Sequence, residues 1–263
     1  MKKSAFDKGN KNIILNLCDR PINRITSIFQ NAENSFIIGS YTCGNYFEYL
    51  INNIDVTFLK DKDFDIVYPV LPEHKLILID DAKALKLCDM AKNVVVNDYG
   101  LLEYFYGKYN LRLGRILLRE YRDRRYNAYE NSEYSSKIFD IISDLNSRGF
   151  DINATELDMA VKNMNADING IKRYFHFPLR QISASHICEF ASINVPIEKK
   201  FVPDQGCAYQ CLKTMIYSDS GYVKIGKNVF DIIDSSFLEN MREDDFVIYN
   251  DIGELHGYFS SSV

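Results

Sequence analysis

The sequence predicts an α/β fold: a (β/α) barrel-like domain, with helices outside a mostly parallel sheet. Three observations carry this. Short apolar runs alternate with helical patterns from residue 12 to residue 178. About six to eight such units fit within one domain, the number a barrel circuit uses. The alternation then breaks, and three cysteines cluster in the segment that follows. The circuit is left open to being incomplete or irregular, and an open doubly wound sheet is the alternative.

The elements follow in order. Asn12-Ile13-Ile14-Leu15-Asn16-Leu17 reads as a short buried strand. Pro21 suits a first helical turn, and Ile22, Ile25, Ile28 and Phe29 carry helical spacing. Residues 35–39 form a second strand and residues 46–51 a helix. Asp55-Val56-Thr57-Phe58-Leu59 and Lys75-Leu76-Ile77-Leu78-Ile79 are expected strands. A helix over 82–91, a strand over 93–96, a helix over 101–109 and a strand over 111–114 come next. A helix over 135–148 ends at Gly149, a C-cap signal. Strands over 150–155 and 172–177 complete the alternation, and residues 222–230 read as a hairpin. One domain spans 1–263: β/α units over 12–178, a cysteine-bearing segment over 179–232 and a tail over 233–263.

With 263 residues, 46% hydrophobic and 25% charged, the chain is of ordinary globular composition. A domain this large needs no covalent staples, so its six cysteines are not required for folding. The N-terminus is polar and has no apolar core behind its lysines, so it does not read as a signal peptide. No run approaches about 18 apolar residues, so no membrane span is expected. The expectation is a cytoplasmic, reducing setting. There, clustered cysteines mean metal or catalysis rather than disulfides. A net charge of −5 and a pI near 5.5 weigh against nucleic-acid binding, which shows a basic footprint.

Cys188 and Cys207-Ala208-Tyr209-Gln210-Cys211 supply three thiols of a metal site. Thiolates suit zinc and iron–sulfur clusters. Zinc sites favour paired C-x2-C motifs, absent here, so the cluster is the expected cofactor and zinc the alternative. Cys88, inside a helical apolar pattern, reads as a core residue. Asn97, Asp98 and Glu156 stand at predicted strand ends, where a carboxylate can work as acid or base and Asn97 can bind substrate. The alternative reading is that Asn97-Asp98 simply caps the following helix. His176 is a catalytic candidate, while Arg180 and His186 are substrate-binding candidates. Arg112, Arg115, Arg119, Arg122, Arg124 and Arg125 form one basic stretch. It is either an anion site, with Arg115 its best member, or a solvated face paired with Glu120 and Asp123.

Several of these residues carry a resemblance. Val95-Val96-Asn97-Asp98-Tyr99-Gly100, followed by Leu113-Gly114-Arg115-Ile116-Leu117, looks like the collagenase-like peptidase family, U32 in the peptidase classification. Thr155-Glu156-Leu157-Asp158 resembles a strand end of that family. Tyr174-Phe175-His176-Phe177-Pro178, then Ser185-His186-Ile187-Cys188, resembles a further segment, and Cys207 with Cys211 its closing cysteine pair. The resemblance spans residues 12 to 232. It is greatest to the single-domain members that serve oxygen-independent hydroxylation, the accessory pair of anaerobic ubiquinone synthesis. It implies a 4Fe–4S cluster on Cys43, Cys188, Cys207 and Cys211, with Cys18 the rival fourth ligand. It also implies a small-molecule or carboxylate-bearing substrate and a heterodimer with a second family member. The chain departs from the family at His186, where relatives often have Arg, and in a longer gap between Cys188 and Cys207. No local nucleophile–base signature supports true peptidase chemistry.

Overall fold

The computed structural model describes residues 12–31, 35–117, 133–158, 170–185, 188–192, 195–200, 202, 206–213, 216–217, 221–233, 238 and 241–250. Seven strands follow one another round a barrel: β1 (Ile13–Asn16), β2 (Ser35–Gly39), β3 (Phe64–Tyr68), β4 (Asn93–Val96), β5 (Leu111–Leu113), β6 (Ala154–Asp158) and β7 (Lys172–Phe177). The chain then leaves the barrel for a four-stranded antiparallel sheet. Its strands are β8 (Leu179–Ala184), β9 (Ile216–Tyr217), β10 (Tyr222–Ile225) and β11 (Asn228–Ile232), in the order β8-β11-β10-β9. It returns with β12 (Phe246–Tyr249), which pairs in parallel with both β1 and β7 and closes the eight-stranded barrel. Helices α1 (Ile22–Asn31), α2 (Gly44–Asn53), α3 (Ala82–Met90), α4 (Tyr99–Phe105) and α5 (Glu133–Ser147) occupy the crossovers, and α6 (Glu189–Ser192) lies in the excursion. No helix among the described residues is long and apolar enough to cross a membrane.

Side chains alternate across each strand, so one set faces the helices and the other fills the barrel. Outward residues such as Phe36, Ile38, Ile66, Val94 and Leu113 share one core with Phe29, Leu50 and Phe105 of the helices. Inward residues Ile14, Ile37, Val67, Val95, Tyr174 and Ile248 form a second, inner core. That inner core is unusual for its charge. Asp65, Arg112, Glu156 and His176 also lie inside the barrel, all buried.

The circuit differs from the expected one in four places. Residues 55–59 and 75–79 are not strands: the chain forms 3-10 turns at Val56–Leu59 and Glu73–Ile79. Asp55 caps the first by accepting from Thr57 N at 2.9 Å. Ile77 in the second is 80% exposed, so its apolar run marks a surface turn rather than a buried strand. The strand that does occupy this part of the barrel is β3. Its inward Asp65 interrupts an apolar run and masks it in the sequence. The strand expected over 150–155 begins only at Ala154, because the Asn146 side chain grips Ile152 N and O and holds that segment as a turn. Finally, β12 comes from the segment read as a tail. The expected hairpin is present as β10 and β11, but as half of a larger sheet.

Gly39 ends β2 with φ +113°, and a Cβ there would lie 2.2 Å from Val67 O. Close approach of β2 to β3 and the left-handed backbone both require glycine. Gly39→Ala is expected to destabilise the fold by about 2 kcal/mol, read as a lower urea midpoint. An unchanged midpoint would refute this tight crossing.

Candidate functional site

A cavity of about 380 Å³ opens over the C-terminal ends of β1, β2, β3 and β5, roofed by the excursion. This is the end where barrels place their sites. Cys43, Cys188, Cys207 and Cys211 all line it. They arrive from three separate stretches of chain, and local structure aims each one.

Gly39 turns the chain out of β2 into Ser40, which is fully buried. Ser40 Oγ accepts from Cys43 N at 3.0 Å and donates to Asp19. Cys43 is then the N-cap of α2, its Sγ accepting from Tyr46 N at 3.4 Å. Cys188 sits at the start of α6, its carbonyl accepting from Ser192 N. Gly206, at φ +69°, lets the next loop press against this turn: a Cβ there would lie 2.3 Å from Ala191 O. Tyr209 adopts a left-handed conformation and packs its ring against Tyr49 of α2, tilted by 37° with 4.9 Å between centroids. That contact pins the Cys207–Cys211 loop to the helix that Cys43 caps. Asn228 ties the second sheet to the same place, donating to Thr42 Oγ1 at 2.9 Å.

The cavity wall controls the thiols. Burial, then the nearby Asp19 carboxylate, pushes the Cys43 thiol up to about 12. The same two causes push Cys211 up, with Cys43, Cys188 and Cys207 also within electrostatic reach of it. These two are thiols rather than thiolates at neutral pH, so ligation there has to release protons. Asp19, with φ 56° and a half-buried side chain, is itself pushed up to about 6 by burial.

Among the described residues, no three His, Cys, Asp or Glu side chains gather closely enough to hold a single metal ion. Tetrahedral zinc holds its sulfurs about 3.8 Å apart. A cluster spreads its thiolates over several irons and takes a wider set around a larger centre. Cys43, Cys188, Cys207 and Cys211 share the lining of one cavity of about 380 Å³. Cys18 is buried in the inner core beside Tyr41, with Ile37 O as its acceptor, and does not line the cavity. Cys88 lies in the outer core on α3.

The remaining candidates lie elsewhere. Asp98 caps α4, accepting from Leu101 N at 2.8 Å. Asn97 is 2% exposed; it donates to Tyr68 O and accepts from Ile116 N, against Gly114. Arg115 is buried and bonded to Asp158 and to Leu179 O, which fastens β8 to the barrel. Arg180 pairs with Asp231 across β8 and β11. None of these lines the cavity. His186, Arg119, Arg122, Arg124 and Arg125 lie outside the described residues.

Glu156 and His176 lie deeper, inside the barrel. His176 Nε2 stands 3.1 Å from Glu156 Oε2 and 3.4 Å from Tyr41 Oη. Arg112 bridges Glu156 at 3.0 Å and Asp65 at 2.8 Å, its guanidinium 4.0 Å from the Tyr174 ring centroid. Burial opposes charge on Glu156, but Arg112 and His176 outweigh it and hold the carboxyl below its ordinary range. Burial, then Arg115, holds His176 down at about 4, so the ring is neutral. Its Nε2 therefore donates to Glu156, and Nδ1 has no partner among the described residues. Tyr41 belongs to this buried network and stands two residues before Cys43 in the chain.

Comparison with protein-family models, curated proteins and solved structures gives no match. No family is shown. The site therefore speaks through its own residues. Sequence reasoning missed Asp19, Tyr41 and the inward role of Arg112. The first two follow strand ends, at the end of the barrel where function gathers. Arg112 was hidden inside a run of arginines that reads as a surface.

Proposed function

We propose that this chain is an iron–sulfur protein that takes part in oxygen-independent hydroxylation, or a related tailoring reaction, of a small molecule. Cys43, Cys188, Cys207 and Cys211 hold a 4Fe–4S cluster in this reading, and the resemblance to the collagenase-like peptidase family supplies the reaction class. One observation carries it: four thiols from three separate stretches of chain line one cavity at the C-terminal mouth of the barrel. When bound, such a group supplies electron transfer. The chain's own residues do the rest. Tyr46 N–H keeps its bond to Cys43 Sγ, and hydrogen bonds to ligating sulfur tune potential. Val70, Leu71, Ile116 and Val195 form an apolar wall that limits water. Asp19, fixed by Ser40, can hold a proton at its carboxyl beside the substrate space. A second family member, as the resemblance implies, is the proposed partner. Proteolysis finds no support, since burial keeps Cys43 and Cys211 away from the nucleophilic thiolate form.

Anaerobic purification with iron, zinc and sulfide analysis and electron paramagnetic resonance tests this. Wild type is expected to carry iron and sulfide. Cys43→Ser and the Cys207→Ser/Cys211→Ser double variant are expected to lose most of both, while Cys18→Ser and Cys88→Ser keep them. Protein that stays free of iron and sulfide after anaerobic reconstitution would overturn the reading, as would stoichiometric zinc in their place.

A further inference from the structure

We propose that Tyr41 positions Cys43 in the thiol site, and that Glu156 and His176 act on that site through Tyr41. This rests on the proposed function above for what the thiols hold, and it gives the charged barrel interior a part in that site. The loop from Ser40 to Cys43 faces two ways. Thr42 and Cys43 line the cavity, whereas Tyr41 turns into the barrel and packs with Ile14, Cys18, Ile37 and Val67. Two residues of chain span at most about 7 Å, so holding the Tyr41 ring also limits where Cys43 can go.

Tyr41 is held by its hydroxyl as well as its ring. Its Oη donates to the Glu156 carboxylate and stands 3.4 Å from His176 Nε2. The Tyr41 and His176 rings meet edge to face, at 77° with 5.5 Å between centroids. These partners come from β6 and β7, so the contact crosses the barrel interior from the end of β2. Glu156 is itself fixed by Arg112 at 3.0 Å. The loop then passes that anchorage on. Val70 N donates to Tyr41 O at 3.4 Å, and Ser40 Oγ accepts from Thr42 N at 3.4 Å and from Cys43 N at 3.0 Å. Residues 40–43 thus move as one unit, and the depth of the tyrosine sets the aim of the cysteine. A phenylalanine would fill the same space, so packing alone does not call for the hydroxyl. Glu156 and His176 do not line the cavity, so both serve as positioning residues.

The test follows alkylation of each cysteine by iodoacetamide in the full chain, iron-free and reduced, by mass spectrometry. The rate at Cys43 is taken relative to the rate at Cys207 in the same molecules. Tyr41→Phe keeps the ring and is expected to raise that ratio about five-fold, the effect of roughly 1 kcal/mol. His176→Asn, which leaves Tyr41 itself intact, is expected to raise it too, and the double variant to go no further than Tyr41→Phe alone. Phe29→Leu loosens the outer core beside Phe36, at the opposite end of β2. It is expected to leave the ratio unchanged, because general loosening exposes all the thiols together. A Tyr41→Phe ratio within about two-fold of wild type, or an equal rise in Phe29→Leu, overturns the inference. Effects of Tyr41→Phe and His176→Asn that simply multiply overturn the role given to His176. Iron and sulfide are assayed separately after anaerobic reconstitution. Wild type without iron would sink the cluster, while the alkylation ratio still decides the role of Tyr41.

Discussion

Replacing Arg112 with methionine is expected to destabilise the barrel by about 3–5 kcal/mol, the range for removing one partner from a buried ion pair. Arg112 is fully buried between Asp65 and Glu156, and its guanidinium is the positive charge that both carboxylates touch. Burial opposes that charge, yet the two carboxylates outweigh it and raise the Arg112 pKa. Without it, two acids remain in the barrel interior and each must take up a proton or draw in water. The triple variant Arg112→Met, Asp65→Asn, Glu156→Gln removes the stranded charges and is expected to recover most of the loss. Urea denaturation at pH 7 reads both. A single variant within 1 kcal/mol of wild type would show that the pairing contributes little.

Acidification from pH 7 to pH 4 is expected to strip about 3 kcal/mol of stability that depends on His176. An ordinary histidine titrates at 6.5, but this one is held at about 4. Above 6.5 both folded and unfolded chains are neutral there, and the contribution is fully present. As pH falls, the unfolded chain takes the proton while the folded one refuses it, so stability drops until about pH 4. Glu156 adds to the acid loss only beneath its ordinary value of 4.5. Asp19 tilts the other way. Its carboxyl is raised from 3.8 to about 6, so the folded chain protonates first and gains stability between those values. The gain is smaller, because this side chain stays partly in contact with the cavity. Relative to wild type, His176→Asn should therefore gain stability on acidification, and Asp19→Asn should lose it. Chemical denaturation at pH 7, 6, 5 and 4 measures both slopes. A His176→Asn curve parallel to wild type would mean that the ring titrates normally.

The barrel was legible because most of its early strands are apolar on both faces and its helices regular, and short apolar runs alternating with a 3.6-residue period report just that. What escaped was the interior. Asp65, Arg112 and Glu156 satisfy one another across the barrel, and a charge paired at long range looks in sequence like a charge meant for water. The same physics hid β3 behind Asp65 and made the arginine run look like a surface. Leu76 and Ile77 erred in the other direction, because an apolar dipeptide does not reveal whether anything covers it. Of the site, the cysteines could be read because thiols are rare and their clustering is informative.

The excursion that carries Cys188, Cys207 and Cys211 leaves and rejoins the barrel at almost one point: Ile233 N donates to Pro178 O at 2.9 Å, and β12 follows beside β7. A segment whose ends meet can be lengthened, shortened or exchanged without altering the path of the frame that carries it. The barrel contributes one thiol and the detachable cassette three. Novel chemistry can thus be grafted onto an unchanged frame by swapping a single continuous stretch. The same junction offers the engineer a place to transplant a different cap over Cys43.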